Sequence, residues 1–187
     1  MKKNIATVIS RIFEPTILLP VAFVACAVRV GVSFEWSIFW LALMLVPTTV
    51  YRMVLKKVQK IDWDIQDRKK RVKPLTLLVC FLGSISVFVW VFEPRLLPLL
   101  VLFLVWVVGF LCVTTLVTKI SGHAGGDALA TGMIIHWFGW CLWPILFIVP
   151  LVGWARVVRR DHSVAQVIAG VVYSWTLIGI FTKIFNF

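Results

Sequence analysis

Residues 121–162 read SGHAGGDALATGMIIHWFGWCLWPILFIVPLVGWARVVRRDH, and the path of the chain between the two polar ends of this stretch decides the fold. One end carries Ser121-Gly122-His123, the other carries Arg156 and His162 with five residues between them, and positions 124–155 are almost entirely apolar. A single long tilted helix over 124–155 would put His123 and His162 on opposite faces of a bilayer. Gly139, Pro144 and Pro150 argue against an unbroken helix, because an interior proline removes a backbone hydrogen bond and forces a kink. The stretch therefore reads as a tight hairpin of two short spans turning near residues 139–142, which returns both histidines to one side.

Composition places that hairpin in a membrane. Of 187 residues, 61% are hydrophobic and only 14% charged, which is far too little polar surface for a soluble domain of this size. Ten tryptophans and fourteen phenylalanines suit the headgroup level, where amphipathic rings settle. The net charge of +11 does not point to nucleic acid. Nine of the nineteen Lys and Arg residues lie within residues 52–73, and a basic run beside a membrane helix reports sidedness or anionic headgroups. No basic-aromatic module for a polynucleotide accompanies it.

Seven apolar passes follow along the chain, roughly 15–33, 35–52, 75–92, 96–118, 124–139, 142–157 and 163–184. The fifth and sixth are short against the ~17–20 residues a crossing helix needs. The expected fold is an all-α polytopic membrane bundle with six to seven transmembrane helices. It forms one domain over residues 1–187, with a motif core at about 60–170. Lys2, Lys3 and the run Ala25-Cys26-Ala27 loosely imitate a signal peptide, but Arg11 and Glu14 interrupt it, so an uncleaved first helix is expected. Alternating spans bring the N-terminus, residues 52–73, Lys119 and Arg156–Arg160 to one side. By the positive-inside rule, that motif-bearing side is expected to be cytoplasmic.

At a membrane, a glycine-flanked serine, an arginine and two histidines are expensive to keep, and together they suit phosphoryl chemistry. The start of a helix leaves N–H groups unpaired and partly positive, so it binds anions, and Gly122 lets the backbone approach closely. Arg156 supplies a planar charged fork. His162 opens the last helix, where it can face His123, so that one imidazole can attack phosphorus while the other protonates the leaving oxygen.

Ser121-Gly122-His123 and Arg156-x5-His162 resemble the second and third signature motifs of the type-2 phosphatidic acid phosphatase superfamily, which includes membrane lipid phosphatases and shares its site with vanadium haloperoxidases. The resemblance covers about residues 119–170. It implies a metal-independent hydrolase, without cofactor, acting in the lipid bilayer on a lipid or polyprenyl phosphate. His162 would be the nucleophile that forms a phosphohistidine and His123 the acid. Arg156, Ser121 and Gly122 would hold the phosphate. Three positions depart from the family pattern: Ile120 replaces a proline, Ala155 a serine, and Gln166 the aspartate that orients the nucleophile. A glutamine carbonyl accepts the same hydrogen bond without the charge, so Gln166 is expected to orient His162 in a slow enzyme or in an inactive headgroup-binding homologue. The first family motif has no literal match. Lys60, Arg68 and Arg71 stand in the corresponding region, and Arg68 and Arg71, three apart, would share a helix face as a phosphate clamp.

Asp62, Asp64 and Asp67 raise a rival, a Mg²⁺-dependent prenyltransferase, but such enzymes use two separated aspartate-rich motifs and this chain has one. Asp127 reads as a residue favouring a helix N-terminus, and His136 as a packed, hydrogen-bonded side chain. Cys26, Cys80, Cys112 and Cys141 lie singly in apolar stretches, without metal-ligand spacing, and read as small buried hydrophobes.

Overall fold

Proline and glycine punctuate the chain in the computed structural model, which describes residues 2–59 and 68–185; the side chains of 47, 48, 51, 52, 54–59, 68–71 and 185 lie outside the description. Helix α1 (Lys2–Ile12) is amphipathic: Lys2, Lys3 and Arg11 are exposed while Ala6 and Ser10 are buried. Helix α2 (Pro15–Arg29) begins on Pro15, whose fixed φ and missing N–H suit a first helical position. Helices α3 (Phe34–Gln59), α4 (Arg68–Phe92), α5 (Leu97–Leu116), α6 (Gly122–Phe138), α7 (Ile148–Val158) and α8 (Val164–Phe185) follow, with 3-10 segments at Pro94–Leu96 and Trp140–Phe147. Among the described residues there is no strand.

The hairpin expected over residues 124–155 is present. Helix α6 ends at Gly139, whose φ of 94° and ψ of 168° is a conformation that only glycine adopts without strain. The returning limb differs from a plain second helix, because residues 140–147 wind as a 3-10 helix before α7 begins. Pro144 has no N–H for the i to i−4 ladder, so this limb tightens at that point.

Among the described residues, five stretches are long and apolar enough to cross a membrane: Lys2–Arg29, Val72–Phe92, Pro94–Leu116, Trp140–Val158 and Val164–Ile184. That is fewer than the six to seven expected. All seven apolar passes are helical, but two fall short among the described residues. In α3 the described apolar stretch runs over Phe34–Val46, and the side chains of 47 and 48 beyond it lie outside the description. Helix α6 has 17 residues, about 25 Å of helix against ~30 Å of hydrocarbon. The chain is an integral, multi-pass, all-helical membrane protein.

Phe23, Leu99, Leu102, Val89, Leu129 and Met133 are almost fully buried and form the centre of the core. Helix α8 is keyed to its neighbours by polar contacts. Trp106 Nε1 donates to Ser174 Oγ at 2.8 Å, Tyr173 Oη to the Trp106 carbonyl at 2.8 Å, and Trp175 Nε1 to the Ala128 carbonyl at 3.2 Å.

The two ends of the bundle are tied differently. At one end, Arg29 Nε donates to the Trp137 carbonyl at 3.2 Å, and Arg95 reaches the Gly31 carbonyl while pairing with the buried Glu93 at 2.6 Å. At the other end, Lys119 Nζ donates to the Asp161 carbonyl at 3.3 Å, and the Ser121 N–H donates to the Gln166 carbonyl at 3.0 Å. The motif residues share this second end with α1.

Candidate active site

Ser121 is the N-cap of α6, in extended conformation, and its Oγ accepts from the Ala124 N–H at 3.3 Å. Its carbonyl accepts from Gly125 N–H at 3.0 Å. Gly122 takes the first helical position, where the N–H has no intrahelical acceptor by construction. The glycine has a packing reason too, since a Cβ there would stand 3.3 Å from Phe110 Cζ. His123 follows in the first turn, half-buried.

The start of α8 is built by a reciprocal cap. Ser163 Oγ accepts from the Gln166 N–H at 3.3 Å, and Gln166 Oε1 accepts from the Ser163 N–H at 3.2 Å, the capping-box arrangement of a Ser-x-x-Gln sequence. The same Gln166 Oε1 lies 3.2 Å from Nδ1 of His162. The cap therefore fixes the glutamine oxygen that faces the histidine, and His162 itself is 6% exposed. Ser121 and Gln166, one from each motif, are joined directly by the backbone bond between them.

Arg156 lies in the last turn of α7, where the helix dipole favours a cation, and is 1% exposed. Its Nη1 is 3.2 Å from Asp161 Oδ2 and 3.4 Å from the buried Ser10 Oγ of α1. Arg159 Nε is 3.0 Å from the same Asp161 oxygen. The chain leaves α7 through Arg160 at φ 65°, with Arg160 N–H donating to the Val157 carbonyl at 2.9 Å and Asp161 N–H to the Arg156 carbonyl at 3.0 Å. This is a Schellman-type stop in which an arginine holds the left-handed position usually given to glycine, at a cost of about 1 kcal/mol.

Ser121, Gln166, His162, Arg156 and Gly122 thus gather at one end of the bundle, with His123 on the first turn beside them. Lys60 lies outside the described residues, as do Asp62, Asp64 and Asp67. Arg68 and Arg71 open α4, but their side chains are outside the description. Among the described residues, no three His, Cys, Asp or Glu side chains cluster as metal ligands.

Several sequence expectations need correction. Asp127 is not in the first turn of α6 but one turn deeper, fully buried, with neither carboxylate oxygen hydrogen-bonded and with Arg156 and Glu14 as its charged neighbours. His136 is not hydrogen-bonded through Nε2, which is buried without a partner; its ring stands edge-on to Trp137, with centroids 4.6 Å apart. Of the four cysteines, only Cys26 is buried. Cys80, Cys112 and Cys141 point outward, where an apolar thiol is at home in a lipid-facing surface.

Two residues at the site, Ser10 and Asp161, escape a motif-based reading. Ser10 comes from a helix more than a hundred positions away and carries no local signal. Asp161 is masked by the basic run around it. The capping role of Gln166 is legible in Ser163-Val164-Ala165-Gln166.

No family model and no solved structure matches the chain. Over 64 residues it is 35% identical to the lipid A 4'-phosphatase of Helicobacter pylori, a stretch that is 34% of this chain and 32% of that protein. The chain therefore matches about a third of the length of this curated relative. This distant similarity and the all-helical, membrane-spanning fold are together consistent with the type-2 phosphatidic acid phosphatase superfamily.

Proposed function

We propose that this protein is a metal-independent membrane phosphatase that hydrolyses a lipid or isoprenoid phosphate or diphosphate monoester through a phosphohistidine. The observation that carries the reading is the pair of contacts at Gln166: its backbone carbonyl accepts from Ser121 and its side-chain oxygen faces His162 Nδ1. With Nδ1–H held by that oxygen, the imidazole is the tautomer whose Nε2 carries the lone pair.

The reaction then runs in two balanced steps. His162 Nε2 attacks phosphorus, the bond to the lipid oxygen breaks, and His123 gives that oxygen its proton. Water, deprotonated by His123, next attacks the phosphohistidine and releases inorganic phosphate, which restores both imidazoles. Arg156 and the first amides of α6 neutralise the phosphoryl oxygens as charge builds. Lys60, Arg68 and Arg71 take a phosphate-holding role in this reading, on their place in the sequence alone. The motif face is cytoplasmic, following the basic residues that flank it.

The relative's name supports phosphorylated lipid A as one substrate to try beside phosphatidic acid, phosphatidylglycerol phosphate and polyprenyl phosphates. A phosphate-release screen across these four, on purified protein with a chelator present, tests the reading. Release that survives the chelator and disappears in His162→Ala supports it, and no release from any of them overturns it.

One observation favours a second reading, a headgroup-binding homologue with little turnover. Gln166 is already engaged in the helix cap and brings His162 no charge. Lipid binding without phosphate release would select it.

A further inference from the structure

The site contains a carboxylate that none of its motif residues calls for. Asp161 Oδ2 is shared between two guanidinium groups, 3.2 Å from Arg156 Nη1 and 3.0 Å from Arg159 Nε. The two partners differ in exposure, with the Arg156 side chain 1% exposed and that of Arg159 28%. The turn that bends Asp161 back onto α7 uses a left-handed Arg160, and Lys119 Nζ holds the Asp161 carbonyl at 3.3 Å. An unfavourable backbone conformation has thus been retained where it aims an anion at the buried arginine.

We infer that the Asp161 carboxylate occupies the phosphate position on Arg156 in the ligand-free protein, and that an arriving phosphoryl group displaces it onto Arg159. The inference rests on the reading of Arg156 as a phosphate-holding residue. A carboxylate and a phosphoryl group both offer a guanidinium an anionic oxygen, and Asp161 Oδ2 pairs with the two arginines through charge and proximity, without a hydrogen bond that would lock it in place. The phosphoryl group carries more charge, so it wins the buried arginine. Asp161 keeps Arg159 as its partner, so the exchange leaves no unpaired buried charge. The device also sets ligand chemistry: a singly charged diester competes poorly with a carboxylate already in place, whereas a monoester dianion competes well.

The test uses full-length protein in detergent, with inorganic phosphate as the probe and ligand-induced thermal stabilisation as a readout independent of turnover. Asp161→Asn is expected to bind phosphate about tenfold more tightly than wild type, since a competing charge at the guanidinium is removed. Arg159→Gln, which takes away the second partner and leaves Asp161 on Arg156, is expected to bind it several-fold more weakly. Arg156→Gln should abolish binding in either background. Wild-type affinity or weaker binding in Asp161→Asn would overturn the inference and leave the phosphatase reading standing. If Asp161→Asn does not fold, unchanged or tighter binding in Arg159→Gln overturns it instead. Absence of phosphate binding from wild type and from both variants overturns the inference together with the phosphate-holding role of Arg156.

Discussion

The carbonyl oxygen of Ser121 faces Gly170 so closely that a Cβ on Gly170 would stand 2.7 Å away, and the obstacle is backbone that cannot rotate aside. This contact lets α8 approach the start of α6, and with it come the Ser121–Gln166 bond and the position of His162. Gly170→Ala is expected to destabilise the protein by about 1–3 kcal/mol through overpacking and to lower phosphate release. Thermal unfolding in detergent checks it, and an unchanged midpoint would mean that α8 shifts freely.

His162→Ala should remove phosphate release altogether, because the proposed covalent intermediate forms on that imidazole, just ahead of α8. Gln166→Glu keeps the reach needed by the capping box and adds the charge that stabilises an imidazolium. Turnover should rise by about tenfold, the effect of ~1.4 kcal/mol on a barrier. A fall in turnover at unchanged thermal stability would show that the neutral amide is needed.

Arg156→Lys tests the fork geometry. A lysine keeps the charge but offers a compact ammonium in place of a planar fork of donors, and its Nζ would have to take the place of Nη1 at both Ser10 and Asp161. We expect about a hundredfold loss in kcat/KM, in the range seen when one charge-stabilising donor is removed. Near-wild-type kinetics would reassign Arg156 to a structural role.

Ser10 links α1 to the site through Arg156 Nη1. Ser10→Ala should cost about 1 kcal/mol of stability, the usual net worth of such a hydrogen bond, and raise KM several-fold with little change in kcat. Steady-state kinetics on a water-dispersed substrate separate these two constants. An equal fall in kcat would place Ser10 in the chemical step instead.

Sidedness is open to direct measurement. In a variant with the four native cysteines replaced, Lys3→Cys lies on exposed α1 at the motif end. A membrane-impermeant thiol reagent added to intact cells should leave it unlabelled and label it after permeabilisation. Rapid labelling of intact cells would put the motif face outside.

The membrane class, the helical passes and the two motifs were all legible in the sequence, because each rests on local chemistry. Hydropathy over some twenty residues decides partition into lipid. Gly139 ends α6, Pro144 falls in the 3-10 limb, and Pro150 is accommodated in the first turn of α7, where its missing N–H costs nothing. A glycine-flanked serine before an apolar run caps a helix. The length at which a pass ceases to count as a full span was less legible. Helix α6 stops at 17 residues, where Gly139 ends it, although the apolar sequence runs on beyond that glycine.

Other features were decided only by tertiary packing. Ser10 meets Arg156 because α1 folds back against α7, and no spacing rule connects residues 146 apart. The fourfold spacing of His162 and Gln166 suggests a contact, but only the capped turn aims the glutamine oxygen at Nδ1. Asp127 looks like a surface helix starter and lies fully buried near Arg156, because the glycines around it let α2 and α8 close over that turn. Asp161 sits in a basic run that reads as solvated, and a left-handed Arg160 turns it inward instead. Local residue chemistry sets which segments are helices and where they end. Which side chains meet depends on how closely those helices pack, a property of distant residue pairs that no single segment encodes.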